Sequence, residues 1–121
     1  MEIHCIGTEF SVCKVRDYGG IDLEGEFLFL GKTDREHSLV CPTDCAPSVA
    51  LAREDGWRAL RIEGSLDFSL VGVLARISAI LAAHGIAIFA VSTFDTDYIL
   101  VKSDAFARAL EALSEAGSAI A

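Results

Sequence analysis

Residues 60–102 read "LRIEGSLDFSLVGVLARISAILAAHGIAIFAVSTFDTDYILVK". Leu70, Leu74, Ile77 and Leu81 fall at i, i+4, i+7 and i+11, and Val73 and Ile80 widen the stripe. That spacing predicts an amphipathic helix over Leu70–His84, with Gly85 as its stop. Ile86–Thr93 and Tyr98–Lys102 are two nearly continuous apolar runs separated by Phe94-Asp-Thr-Asp, a predicted hairpin. Upstream, Trp57–Glu63 alternates as a strand with one apolar face. Downstream, Ser103 and Asp104 precede the stripe Phe106, Leu110 and Leu113, which Gly117 ends, so a last, capped helix is expected. The order is β-α-β-β-α.

The first half carries a weaker copy of the same pattern. A strand is predicted over Thr8–Arg16, then a glycine-rich link from Asp17 to Gly25. Glu26–Lys32 and His37–Cys41 read as strands joined by Thr33-Asp-Arg-Glu. Pro42-Thr-Asp leads into an expected helix over Cys45–Glu54, with Thr43 or Asp44 as cap, Pro47 in its first turn and Gly56 as its stop. At an offset of 60, Phe29 meets Phe89, Thr33 meets Thr93, Leu39-Val40 meets Ile99-Leu100 and Asp44 meets Asp104. One residue later in register, Gly56 meets Gly117. Each half reads strand, turn, strand, capped helix, glycine, so a duplicated module is expected. The domains expected are residues 1–56, a degenerate unit without the long first helix, and residues 57–121, an intact one.

Composition narrows the function. Of 121 residues, 52% are apolar and 23% charged, which is globular rather than disordered. A net charge of −8 with no basic cluster argues against nucleic acid and anionic membrane surfaces as partners. No apolar run is long enough to span a bilayer, and Met1-Glu-Ile-His does not begin a signal peptide, so a cytoplasmic location is expected. Cys41 and Cys45 form C-x3-C, but no second Cys or His pair stands at zinc-site spacing, so neither metal nor cofactor is expected.

With the order β-α-β-β-α on the page, residues 60–102 resemble the ACT domain, a small regulatory module of amino-acid-metabolism enzymes. "EDGWRALRIEG" and "VSTFDTDYILVK", with "FSVCKV", "EFLFLGKT" and "SLVCPT" in the first half, are similar to a branch of stand-alone tandem ACT proteins. That branch includes uncharacterised bacterial proteins and the cytosolic arginine sensors of animals. The resemblance implies a ferredoxin-like α+β sandwich: two tandem ACT-like units, antiparallel sheets and helices on one face. It also implies a homodimer and small ligands, often amino acids, held at the interface between modules. Many ACT domains have Pro-Gly at the turn into the first helix; here Val71 precedes Gly72.

The candidate site follows from elementary electrostatics. The start of a helix exposes unpaired amides and a positive dipole end, which suit a carboxylate. Asp67, Phe68, Ser69, Leu70, Val71 and Gly72 lead into the first long helix, and Gly72 lets backbone approach a ligand or pack closely on the sheet. Thr93, Phe94, Asp95 and Asp97 form the facing hairpin, of this or another module, whose carboxylates would hold an ammonium or guanidinium. Asp95 also reads as a turn residue, since aspartate bonds its own backbone there; Asp97, at the start of a strand, is the better pocket residue. No nucleophile–base constellation accompanies the pair, so catalysis is not expected. The expected function is a non-enzymatic amino-acid sensor acting through an unidentified partner protein. The alternative is a dimerisation scaffold without ligand. Two full ACT units need more strands than the chain offers, so the N-terminal strand, at Thr8–Arg16 or Met1–Ile6, or a dimer partner, is expected to complete the second sheet.

Overall fold

The computed structural model describes residues 1–63 and 72–121. Its elements are β1 (Glu2–Val15), β2 (Phe29–Lys32), β3 (His37–Pro42), a 3-10 turn (Thr43–Cys45) and β4 (Ala52–Ile62). These are followed by α1 (Val73–Ala83), β5 (Phe89–Ser92), β6 (Asp97–Lys102), a second 3-10 turn (Ser103–Ala105), α2 (Phe106–Glu115) and β7 (Ala119–Ile120). Contacts divide the chain into two compact units: Met1–Gly7 with Arg58–Ala121, and Thr8–Trp57. The long strands β1 and β4 run through both. Among the described residues no helix is long and apolar enough to cross a membrane.

In the C-terminal unit β4 lies between the start of β1 and β6, and β5 forms the edge beyond β6. β7 runs parallel to β1, pairing Glu2 with Ala119 and Ile3 with Ile120. The core is continuous. Ile3, Leu60, Ile62, Ile99 and Val101 from the strands join Val73, Ile77 and Leu81 of α1 and Phe106, Ala109 and Leu113 of α2. Each fully buried leucine or isoleucine here contributes about 1.5–3 kcal/mol of transfer free energy. Of the predicted stripes, Val73, Ile77 and Leu81 and then Phe106 and Leu113 are buried, with Leu74, Ile80 and Leu110 partly buried against them. α1 begins at Val73 rather than Leu70, because Gly72 is left-handed, and Leu70 lies outside the described residues. Both helices close with the same hydrogen bonds: Ile86 N–H to Leu81 C=O (3.0 Å) and Gly85 N–H to Ala82 C=O, then Ser118 N–H to Leu113 C=O (3.0 Å) and Gly117 N–H to Ser114 C=O. Gly85 (φ 70°) and Gly117 (φ 102°) supply the left-handed residue this motif needs. At the start of the last helix, Ser103 and Asp104 lie in the 3-10 turn, and no side-chain cap bond forms at Ala105.

In the N-terminal unit β1 lies between β3 and β4, and β2 is the edge beyond β3. β1 pairs with β3 from Phe10↔Pro42 to Val15↔His37. A compact cluster of Cys13, Val15, Leu39 and Cys41 is covered by Tyr18, Ile21, Leu28, Ala46 and Ala50. The Tyr18 hydroxyl donates to the Ser38 carbonyl at 2.9 Å, fastening the glycine-rich link to β3.

Two expectations fail here. The helix over Cys45–Glu54 does not form: a single 3-10 turn ends at Cys45, Ala46 is extended (φ −67°, ψ 139°), and β4 begins at Ala52. Pro47 explains the first step, because its ring pushes the preceding residue out of the helical region. Leu51 then donates its amide to the Lys14 carbonyl (2.8 Å), drawing the following residues into a strand. The second failure follows from the first. Gly56 is no helix stop but a strand residue with φ 81°. β4 is also buried on both faces, since Trp57 and Ala59 are as covered as Leu60 and Ile62.

Candidate functional site

The C-terminal hairpin gathers the residues singled out in 92–97. β5 pairs with β6 in register Phe89↔Leu100, Ala90↔Ile99, Val91↔Tyr98 and Ser92↔Asp97. The turn is closed by Thr93, whose amide donates to the Thr96 carbonyl at 2.8 Å and whose hydroxyl bonds both the carbonyl and the amide of Thr96. Phe94 and Asp95 are the exposed tip; Phe94 is 103% exposed and serves no core. Asp97 is the first residue of β6, half-buried, and its Oδ1 accepts a 2.5 Å hydrogen bond from the Ser92 hydroxyl. The cross-strand pair therefore orients the carboxylate and leaves Oδ2 without a partner among the described residues.

Gly72 is the N-cap of α1, left-handed at φ 86°, ψ 11°, and no side chain caps the helix. Arg76 N–H reaches the Gly72 carbonyl at 2.9 Å, the first helical bond. The expected residues Asp67, Phe68, Ser69, Leu70 and Val71 lie outside the described residues.

Around the hairpin the unit is laced by arginines. Arg61 Nε donates to Glu63 Oε1 at 2.6 Å, and its guanidinium lies 5.9 Å from the Tyr98 ring centre. Hydrogen bonds with Glu63, first, and with Tyr98 raise its pKa above the usual arginine value. Arg58 sits 4.2 Å over the Phe106 ring and donates to the Ile6 carbonyl at 3.3 Å.

Sequence reasoning missed two polar groupings. Thr96 is only 9% exposed, and its hydroxyl donates to the Ile62 carbonyl at 2.6 Å. Nothing in a turn threonine marks it as buried. In the N-terminal unit, fully buried Ser11 donates to Asp55 Oδ1 at 2.5 Å and bonds the Thr43 hydroxyl at 3.0 Å, while Arg53 Nε holds the same Asp55 oxygen at 2.8 Å. A serine between Phe10 and Val12 in an alternating strand was the available signal for that network. Among the described residues no group of His, Cys, Asp and Glu is placed to hold a metal.

The fold has close counterparts among solved structures. The chain is similar to a protein of Agobacterium tumefaciens, 27% identical with a TM-score of 0.88, over 99% of this chain and 91% of that one. A Vibrio cholerae protein of unknown function shares 21% identity at TM-score 0.74, over 94% and 88%. The regulatory subunit of aspartate kinase from Thermus thermophilus shares the fold at 13% identity and TM-score 0.64, over 95% and 96%. No curated protein matches the chain. The sequence matches the ACT domain over residues 52–115, which takes in β4, both helices and the β5–β6 hairpin. The chain belongs to the ACT domain family.

Proposed function

We infer that the protein is a non-enzymatic regulatory module that binds a small molecule, an amino acid, and acts as a homodimer built of two tandem ACT-like units. The site is the end of the β5–β6 hairpin, with the uncapped start of α1 at Gly72 as the partner for a carboxylate. One observation carries the reading: Asp97 is held in place by Ser92, with its other oxygen without a partner among the described residues, beside the exposed hairpin tip of Phe94 and Asp95. A carboxylate so oriented suits an ammonium or guanidinium by charge-assisted hydrogen bonding. Regulation then needs only a ligand that binds two arrangements of the protein unequally. Both family membership and the shared fold with an aspartate kinase regulatory subunit support a regulatory role.

The test is a thermal-shift screen against the twenty amino acids, followed by calorimetry, because a ligand that binds only the folded state raises its apparent stability. A shift is expected for one or a few of them, strongest for a cationic side chain, lost in Asp97→Ala and kept in Asp95→Ala. No shift at millimolar amino acid would replace the sensor with a dimerisation scaffold that has no ligand.

A further inference from the structure

The two hairpin turns close alike but differ in their fourth residue. Thr33 N–H donates to the Glu36 carbonyl at 2.9 Å, and the Thr33 hydroxyl accepts from the amides of Arg35 and Glu36. Thr93 does the same work on Thr96. The turn chemistry therefore resides in the first residue, and the N-terminal hairpin forms with an exposed glutamate in the fourth place. A threonine there is not needed to make the turn.

Thr96 is instead buried, and its hydroxyl serves a different strand. It donates at 2.6 Å to the carbonyl of Ile62, the last residue of β4. The next residue, Glu63, gives its amide to the Glu2 carbonyl at 2.9 Å. The end of β4 is thus bonded to β1 through the Glu63 amide and to the hairpin turn through the Thr96 hydroxyl. That side chain is adjacent in sequence to Asp97, whose carboxylate Ser92 orients.

The geometry points to Thr96 as a positioning residue: its hydroxyl locks the end of β4 to the hairpin turn and so fixes Asp97 relative to the rest of the unit. This rests on the proposed site at the hairpin end. A buried carbonyl that loses a side-chain donor destabilises its surroundings more than the bond itself contributes. The lock therefore tightens ligand binding without Thr96 touching the ligand. Serine retains the donor; valine keeps the shape and removes it.

The test compares wild type, Thr96→Val and Thr96→Ser by amide hydrogen exchange in the ligand-free state and by calorimetry with whichever of the twenty amino acids binds the wild type. Exchange at the Glu63 and Thr96 amides, normalised to the core amide of Leu81, is expected to speed up about tenfold in Thr96→Val. Affinity is expected to fall about tenfold with it, and Thr96→Ser is expected to restore both. Uniform acceleration at all three amides with unchanged affinity would make Thr96 an ordinary packing residue and overturn the proposal. If no amino acid binds wild type, the proposed site fails and Thr96 has nothing to position. The exchange arm then reports only whether the lock itself exists.

Discussion

The β2–β3 and β5–β6 hairpins can be laid on one another residue for residue at an offset of 60. Phe29↔Val40 becomes Phe89↔Leu100, and Lys32↔His37 becomes Ser92↔Asp97; the 3-10 turn at Thr43–Cys45 recurs at Ser103–Ala105. After that turn the two halves part. The second continues into α2, and the first into six residues and a strand. The apolar spacing accounts for the difference. Phe106, Ala109 and Leu113 offer α2 a face to bury, whereas Val49 and Leu51 in the first half remain largely exposed. A duplicated pattern thus fixes a hairpin but not the element that follows it, because the hairpin is local and the helix depends on a core to receive it.

The largest expected effect tests that claim. Leu81→Ala removes a fully buried side chain between two helices and the sheet, and should cost about 4–5 kcal/mol. Leu39→Ala, equally buried but under a cover of loop residues able to collapse into the gap, should cost about 2–3 kcal/mol. Urea unfolding at equal m-values checks both. Equal losses would mean that the two cores are equally well packed, and the comparison would break.

A second contrast concerns the long strands. Gly7 in β1 has ordinary backbone geometry with open space where a Cβ would stand. Gly56 in β4 also faces open space but sits at φ 81°. Gly56→Ala should cost about 1–2 kcal/mol through backbone strain alone, and Gly7→Ala less than about 0.5 kcal/mol. A neutral Gly56→Ala would show that β4 relaxes to ordinary strand geometry at no cost.

Much of this was legible in the sequence, and the illegible parts share a cause. The helix stripes, the glycine stops at Gly85 and Gly117, both hairpins and their offset follow from local period and turn chemistry. The helix over Cys45–Glu54 was misread because Pro47 looks equally at home in a first turn or after a strand; the choice was made by Leu51 pairing with Lys14, a contact 37 residues apart in the chain. β1 extends to Glu2 because its first residues pair with β7, a two-residue strand too short to recognise by period. Within the site, Asp97 and Thr93 were legible as hairpin residues, but the burial of Thr96 depends on Ile62, which lies in another strand.

The cysteines sharpen the contrast through pH. Burial, reinforced by the neighbouring Cys13 and Cys45, pushes the Cys41 thiol up to about 11 from its ordinary 9.0, and burial also raises Cys13. The folded state holds these protons more tightly than the unfolded chain, so their contribution to stability is complete below pH 9 and lost as pH rises from 9 towards 11. The urea midpoint should fall over that window, and Cys41→Ala should flatten part of the fall. At pH 8 a thiol reagent should label exposed Cys45 well before buried Cys13 and Cys41.

A small change in stability with a large change in binding is expected to separate the hairpin ends from the folds that carry them. Replacing Ser92 and Asp97 by Lys and His gives the C-terminal hairpin the end that the N-terminal one already has at Lys32 and His37. Both ends close strands of identical register, and the swapped side chains are exposed or half-buried. The exchange should shift ligand-free stability by no more than about 1 kcal/mol, the scale of one cross-strand pair. If the proposed site is right, its effect on ligand binding should be complete, because the oriented carboxylate becomes an imidazole beside an ammonium, which would repel a cationic ligand. A double variant that still shows the wild-type thermal shift would move the site away from this hairpin. One that unfolds would mean that the Ser92–Asp97 bond belongs to the fold rather than to the ligand.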